Sequence, residues 1–190
     1  MEVGLFFGSF NPIHIGHMII ANLAYESTSI DQVWFIVSPQ NPHKSRGGLL
    51  HEFDRLDMVR AATYDHFHFQ ASDIEFGLPK PSYTINTLTH LSEKYPQHQF
   101  RLIIGEDNLK SFPKWKNHEQ ILNQHGLIVY PRPGVQINEK MSGANVSYIE
   151  APLIDISASL IRQLIKTGKS VKLLVPDPVW ELIQGKGFYQ

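Results

Sequence analysis

Two histidines with two residues between them, His14 and His17, are the side chains of this sequence best placed for phosphate chemistry. They end the segment GSFNPIHIGH, residues 8–17, which directly follows the apolar run 3–7 and directly precedes a helix-like segment, Met18 to Ser27. A strand, a glycine turn and a helix start in this order favour an anion. The first N–H groups of a helix lack partners within it and carry the positive end of its dipole. We therefore predict that residues 8–17 bind phosphate, with imidazole groups as additional donors.

The shape of this turn is predicted from a glycine and a proline. Gly8 lets the chain leave the strand without a Cβ clash, and Pro12 holds Asn11 extended, so we expect the helix to begin near Gly16. Two other interpretations stay open. Glycine and proline could simply punctuate a strand–helix connection in a chain that has ten histidines. The two histidines could also ligate a metal, but zinc needs a third protein ligand, and the chain has no cysteine and no HExxH pattern.

The elements that would position the turn follow from hydrophobic periodicity. Short β-rich runs lie at 3–7, 33–37, 67–70, 100–104 and 127–130, and helix-like segments between them include 53–62, 85–94 and 119–123. This alternation predicts the α/β class, with a parallel sheet and helices on both faces. Ligands of such sheets bind beyond the carboxyl ends of the strands, where Gly8 falls.

Composition limits the classes of partner. With 190 residues, 42% hydrophobic and 18% charged, the chain has enough apolar residues for one core. A formal net charge of −1 gives no general attraction for nucleic acid, so phosphate binding has to be local. The absence of cysteine excludes disulfides, and no leader or long apolar stretch is present, so we expect a cytoplasmic protein without membrane contact. A homo-oligomer stays open, because interface and core residues look alike in sequence.

A helix near the carboxyl end carries an arginine in an unfavourable place. Ser157 is a good N-cap, and Leu160, Ile161, Leu164 and Ile165 form the apolar face of the predicted helix. Arg162 then lies in the first turns, where the helix dipole disfavours a cation, on the same face as Ser159. A bound anion would resolve this conflict, although an ordinary capped helix with an exposed arginine is the alternative.

Three further segments carry candidate ligand contacts. Residues 38–48, rich in proline and glycine, are predicted to be a loop, in which Lys44 belongs either to a lid that carries cations or to a solvated surface. Residues 81–88 predict a helix start with Tyr83 and Thr84 near its N-terminus. In residues 105–115, Gly105 permits close approach, Asp107 could accept from ribose hydroxyls, and Trp115 offers a flat face or packs in the core.

These segments together resemble a known family. Residues 8–17 resemble the GxFxPxHxGH signature of the nucleotidylyltransferase superfamily, and the chain is most similar to its nicotinate-mononucleotide adenylyltransferases. Residues 156–162 resemble the family's ISSTxIR motif, 81–88 its PSYTxDTL segment, and 105–115 its GxDxLxxLxxW pattern. Ala158, Ser159, Asn86 and Phe112 depart from these patterns. Ser159 keeps a hydroxyl, so binding should survive, whereas Ala158 loses one, which puts any role of that position in doubt. Because Asn86 replaces the usual Asp, Thr84 is the better candidate contact.

The resemblance implies a Rossmann-like doubly wound parallel sheet in one nucleotidylyltransferase domain, residues 1–190. It implies an adenylyltransferase that joins ATP and nicotinate mononucleotide to give nicotinate adenine dinucleotide and pyrophosphate in NAD biosynthesis, with Mg²⁺ bound through the ATP phosphates. The implied catalytic residues are His14, His17, Lys44 and Arg162. The implied ATP contacts are Gly8, Ser9, Phe10, His14, Gly16, His17, Gly105, Asp107, Ser157, Ser159 and Arg162. The implied contacts of the other substrate are Asn11, Lys44, Tyr83, Thr84, Trp115 and Arg132.

Two other functions stay open on the sequence alone. Another adenylyl- or cytidylyltransferase of the superfamily would use nicotinamide mononucleotide or phosphopantetheine as acceptor, and a non-catalytic nucleotide sensor would bind ATP without releasing pyrophosphate. The choice between nicotinate and nicotinamide depends on backbone donors, which the sequence does not reveal. The final segment, residues 168–189, is interpreted as packing without a catalytic role.

Overall fold

A computed structural model describes residues 1–39, 48–135, 141, 143 and 145–190. The predictions for Lys44 fall outside these residues. The strands are β1 (Glu2–Gly8), β2 (Gln32–Val37), β3 (Phe69–Ser72), β4 (Gln99–Gly105), β5 (Leu127–Tyr130) and β6 (Val146–Tyr148). The helices are α1 (Ile15–Ser27), α2 (Glu52–Thr63), α3 (Thr84–Lys94), α4 (Glu106–Ser111), α5 (His118–Gln124), α6 (Ala158–Lys166) and α7 (Asp177–Lys186), with short 3₁₀ turns at Ile74–Gly77 and Phe112–Lys114.

The strands form one parallel sheet in the order β3-β2-β1-β4-β5-β6. In the register of the central strands, Leu5 of β1 lies between Trp34 of β2 and Leu102 of β4. The chain builds outward from β1 to β3 and then returns to place β4 on the other side of β1. This reversal creates the switch point at which ligands of doubly wound sheets bind.

Each face of the sheet has its own apolar core, as expected for strands buried on both sides. On one face, Phe6 and Phe35 pack with residues of α1, α2, α6 and α7. On the other face, Leu5 and Leu102 pack with residues of α3, α4 and α5. The sheet is thus a rigid layer between two sets of helices, and its carboxyl edge holds the turns that follow β1, β4 and β5.

The predicted α/β class, parallel sheet and helices on both faces are confirmed. The third strand was predicted two residues too early, because Phe67 is 95% exposed and precedes the strand. The short edge strand β6 was not predicted, because its half-buried residues form no apolar run. Helix α1 begins at Ile15, with His14 as its N-cap, one residue before the predicted start. In the part of the chain that the structure describes, no helix is both long and apolar enough to cross a bilayer.

Candidate functional site

A cavity of about 470 Å³ opens at the carboxyl ends of β1 and β5 and at the amino-terminal ends of α1, α4 and α6. Elements far apart in sequence therefore meet at one place, as the switch point predicts. The predicted site residues that line it are Gly8, Ser9, Phe10, Asn11, His14, Gly16, His17, Asp107, Arg132, Ser157, Ser159 and Arg162.

The turn after β1 is shaped by the ring of Phe10. This ring is 2% exposed and packs edge-on against Phe6, Phe35 and His17. A Cβ on Gly8 would lie 2.8 Å from Cζ of Phe10, so the close approach of the ring requires glycine there. Phe10 itself has a φ of 43°, a left-handed conformation that residues other than glycine rarely adopt. The surrounding packing has to maintain this strained shape.

The two predicted histidines stack on each other at the start of α1. Their ring centroids are 3.7 Å apart at an interplanar angle of 28°. The backbone N–H of His14 donates to Nδ1 of His17 at 3.2 Å, so the neutral His17 ring carries its hydrogen on Nε2. The start of α1 thus orients the side chain of His17. The same helix start would bind phosphate together with this side chain.

His14 is buried in a way that keeps its ring neutral. Burial, and secondarily the positive charge of Arg132, lowers the pKa of His14 from 6.5 to about 4. Its side chain lies over the backbone N–H of His17 as in a capping box, but its buried Nδ1 atom makes no hydrogen bond among the described residues. Most buried polar atoms are paired, so an unpaired ring nitrogen in a cavity points to a ligand that completes it. Within the described ranges, no three His, Cys, Asp or Glu side chains gather as metal ligands.

Arg162 is held at the cavity by two hydrogen bonds. Its Nη1 donates to the carbonyl oxygen of Asn11 at 2.8 Å, and its Nη2 donates to Oγ of Ser159 at 3.2 Å. Among the described residues it has no carboxylate within 4 Å, so its charge has no ion-pair partner there. Ser157 caps α6 by accepting from the backbone N–H of Leu160 at 3.2 Å, which confirms the predicted N-cap. Leu160 is 40% exposed, however, and the predicted apolar face is wrong at this position.

The side chain of Asn11 is occupied by protein partners. Its Nδ2 donates to the carbonyl oxygen of Gly48 at 2.8 Å. Its Oδ1 accepts from the backbone N–H of Leu50 at 3.3 Å and from the hydroxyl of Tyr189 at 2.9 Å. Sequence reasoning missed Tyr189, because a contact over 178 positions leaves no local signal. The contact of Asn11 with a substrate stays a prediction.

Asp107 and Arg132 face each other across the cavity rim. Nε of Arg132 lies 3.5 Å from Oδ1 of Asp107, and the backbone N–H of Arg132 donates to Glu106 at 3.3 Å. Gly105 does not line the cavity, but a Cβ there would lie 2.9 Å from Cγ of Arg132. Oδ1 of Asp107 would lie closer still to that Cβ, so the glycine makes room for both members of this pair.

Tyr83, Thr84 and Trp115 lie outside the cavity lining. Tyr83 is 42% exposed, and Nζ of Lys116 lies 4.8 Å from the centre of its ring. Trp115 is half-buried, and the centroid of its ring lies 5.6 Å from that of Phe112. Thr84 is the first residue of α3, and in the same helix start the buried Oγ of Ser82 has no partner among the described residues. Tyr83, Thr84 and Ser82 thus form a second polar and aromatic surface at the amino end of α3, which Lys116, the neighbour of Trp115, contacts at Tyr83.

The chain is similar to proteins of one family along its whole length. A family model described as cytidylyltransferase-like matches residues 5–164. A protein of Cytophaga hutchinsonii named probable nicotinate-nucleotide adenylyltransferase is 58% identical over 189 residues, which cover 100% of this chain and 98% of the relative. A relative of the same name from Flavobacterium johnsoniae is 49% identical over 192 residues and is covered in full.

Two solved structures from Plasmodium falciparum share the fold. The nicotinic acid mononucleotide adenylyltransferase complexed with NaAD has a TM-score of 0.79 at 19% identity and covers 99% of this chain, with 97% of its own length matched. The same enzyme complexed with APC has a TM-score of 0.77 at 18% identity, over 99% of this chain and 96% of that chain. At these identities the likeness establishes the fold.

The state of His14 can be tested by titration. We expect its ring to remain neutral down to about pH 4 in the free protein, where burial lowers its pKa. Between pH 6.5 and 4 the unfolded chain binds a proton that the folded chain does not, so the contribution of His14 to the free energy of unfolding falls as the pH falls. Added inorganic pyrophosphate should raise the pKa, because a nearby anion favours the imidazolium.

The measurement is an NMR titration of the histidine rings with and without pyrophosphate. The His14→Asn variant identifies the signal of His14. An ordinary pKa in the free protein, or no upward shift with pyrophosphate, would contradict the role of this buried ring.

Proposed function

Because this chain belongs to the nicotinate-nucleotide adenylyltransferase family, we propose that it joins ATP to nicotinate mononucleotide, giving nicotinate adenine dinucleotide and pyrophosphate, a step of NAD biosynthesis. The observation that carries the proposal is the buried Nδ1 of His14, which has no partner among the described residues and lies beside Arg162 in one cavity. A neutral donor and a cation without a carboxylate partner suit a phosphate chain that enters at a helix start. We propose that residues 1–190 act as a single nucleotidylyltransferase domain.

The reaction we propose needs no nucleophile from the protein. A phosphate oxygen of nicotinate mononucleotide attacks the α-phosphorus of ATP, and a new P–O bond forms. The bond from the α-phosphorus to the oxygen bridging to the β-phosphorus breaks, and the electron pair leaves with pyrophosphate. The protein has to align two anions, and such positioning can lower a barrier by roughly 7 to 11 kcal/mol.

The cavity supports a division of roles along the triphosphate. His14 and His17 would donate to the transferring α-phosphate, with backbone groups of residues 8–10 beside them and Gly16 allowing close approach. Arg162, Ser159 and the capped start of α6 would hold the leaving pyrophosphate, whose charge grows in the transition state. Asp107 would accept from a hydroxyl of ATP. Lys44 stays a predicted phosphate contact.

The acceptor nucleotide would occupy the surface at the amino end of α3. A half-buried Trp115 can stack on a pyridine ring, and Tyr83 and Thr84 lie where the dipole of an 11-residue helix favours a carboxylate. The Oγ of Ser82 at the same helix start has no partner in the described ranges, which supports a polar ligand group there. Arg132, between this surface and the histidines in our proposal, would contact the acceptor phosphate.

Mg²⁺ would enter as part of the ATP complex. The described residues offer the carboxylate of Asp107 at the cavity but no cluster of three acidic or histidine ligands. This fits an ion held mainly by phosphate oxygens and water, the usual arrangement for magnesium nucleotides. When bound, Mg²⁺ neutralises charge on the leaving pyrophosphate. The cytoplasmic location and the oligomeric state stay predictions.

The proposed reaction is tested by pyrophosphate release from ATP and Mg²⁺ with three acceptors: nicotinate mononucleotide, nicotinamide mononucleotide and phosphopantetheine. We expect a strong preference for nicotinate mononucleotide, because its carboxylate suits the start of α3. Preference for either other acceptor would refute the proposed substrate. ATP binding without release in any mixture would favour a nucleotide sensor.

Two substitutions separate the proposed roles. His17→Ala should lower kcat by about 100- to 1,000-fold, as expected for loss of one preorganised transition-state donor. Arg162→Ala should raise KM for ATP more than KM for nicotinate mononucleotide, because Arg162 would hold the end of ATP.

Steady-state kinetics with each substrate varied measures both effects. Arg60→Ala is the matched control, since Arg60 is an exposed arginine of α2 that pairs with Asp57 and Asp73. Near-normal kcat in His17→Ala, or equal rises of both KM values in Arg162→Ala, would disprove these assignments.

A further inference from the structure

Arg55 is a fully buried cation next to the cavity. It lies in the first half of α2, has 0% exposure and is the largest of the fully buried side chains. No carboxylate lies within ion-pair distance of it among the described residues. Glu52, one turn earlier in α2, instead pairs with Lys80 at 3.4 Å. Burial lowers the pKa of Arg55, but a guanidinium retains its proton in proteins.

The guanidinium donates four hydrogen bonds to backbone carbonyl oxygens of the described residues. Its Nη1 donates to Ser9 at 2.5 Å and to Ser38 at 2.8 Å. Its Nη2 donates to Pro39 at 3.0 Å, and its Nε donates to Leu50 at 3.0 Å. Arg55 thus joins Ser9 in the turn after β1 to two residues that follow β2, Ser38 and Pro39. It also joins them to Leu50, which precedes α2.

The bond to Ser9 fixes the direction of one peptide group of the phosphate turn. The Ser9–Phe10 peptide is trans, so its C=O and N–H point in opposite directions. Because the carbonyl of Ser9 points at Arg55, the N–H of Phe10 points away from it. Ser9 and Phe10 both line the cavity, and the left-handed φ of 43° at Phe10 needs support from outside the turn.

Apolar packing alone does not explain why this position holds a charge. Burying a cation without a carboxylate is costly, and apolar residues of similar volume often replace even buried ion pairs without loss of stability. A planar fork with five donors, however, can bind several carbonyl oxygens at once, which neither lysine nor an apolar residue can do. A buried positive charge behind the turn also favours an anion in front of it.

We propose that Arg55 is a positioning residue for ATP: its guanidinium holds the Ser9–Phe10 peptide in the orientation that receives the triphosphate, without touching it. The inference rests on the proposed adenylyl transfer. A positive charge alone is not sufficient for this role, because the four hydrogen bonds to carbonyl oxygens require the shape of the guanidinium.

Arg55→Lys is the first variant, because it keeps the charge and most of the stem but loses the fork. We expect kcat/KM for ATP to fall about 10- to 100-fold, the scale of a small displacement of binding groups. The affinity for MgATP, measured by titration calorimetry, should weaken as well. Circular dichroism and thermal melting report whether the variant is folded.

Arg101→Lys is the matched control at the opposite end of the sheet. Arg101 is half-buried, and its Nη2 donates to the carbonyl oxygen of Leu127 and to Oγ of Ser147. Its Nη1 lies 3.5 Å from Oε1 of Glu2. Its substitution should lower the melting temperature without changing kcat/KM for ATP. A loss of activity equal to that of Arg55→Lys would show that the effect is general destabilisation and would overturn the proposal.

Chemical rescue distinguishes positioning from packing. Millimolar guanidinium chloride should restore part of the activity of Arg55→Ala, whereas sodium chloride at the same concentration should not. A folded Arg55→Ala protein that guanidinium does not rescue would contradict the proposal. If Arg55→Ala does not fold, the proposal is tested with Arg55→Lys alone. Wild-type kinetics and wild-type MgATP affinity of Arg55→Lys would then overturn the proposal.

The wild-type protein separates this inference from the proposed function. If it binds MgATP but releases no pyrophosphate with nicotinate mononucleotide, the proposed reaction fails. The MgATP affinities of the Arg55 variants then still test the positioning role: weakened affinity supports it, and unchanged affinity refutes it.

Discussion

The packing of the Phe10 ring over Gly8 is the contact on which the candidate site depends. It draws the turn after β1 into the core and leaves no room for a Cβ at position 8. The strained backbone of Phe10 is then maintained from several directions. Arg55 holds the carbonyl of Ser9, while Gly48, Leu50 and Tyr189 hold the side chain of Asn11. A turn fixed in this way needs little rearrangement when a ligand arrives, which is how preorganised donors stabilise developing charge.

The same turn explains how a chain with a net charge of −1 can attract polyphosphate. Arg55 and Arg162 bring positive charge to the turn without carboxylate partners among the described residues. His14 stays neutral because burial disfavours its charged form, and its Nδ1 has no partner in the described part of the chain. Such groups lower the stability of the free protein, and a bound anion stabilises them. This is a common feature of binding sites. The attraction is local, as the balanced overall composition requires.

Local signals predicted a large part of this arrangement. The glycine turn, the start of α1 and the Ser157 cap depend on residues within one or two turns of each other, so the sequence reveals them. Leu160 follows the helical period but is exposed, because α6 packs chiefly through the fully buried Ile161. The edge strand β6 has no apolar run and depends on pairing with β5.

Contacts between distant segments were beyond local reasoning. Tyr189 reaches Asn11 across 178 positions, and nothing in the final segment indicates this partner. Arg55 left a signal that could have been used. It stands four and seven residues before Val59 and Ala62, which are buried on the same face of α2. A charged residue on an apolar helix face predicts a buried polar contact, although the pattern alone does not identify the carbonyl groups that it binds.

The central claim is that the start of α1, with its two histidines, binds the phosphate that is transferred to the acceptor. A crystal structure of the protein with nicotinate adenine dinucleotide tests it most directly. We predict that the bridging phosphates lie at the start of α1, within hydrogen-bond distance of His14 or His17, with the pyridine ring toward Trp115. Bridging phosphates bound away from the histidines, with the Nδ1 of His14 still unpartnered, would contradict it.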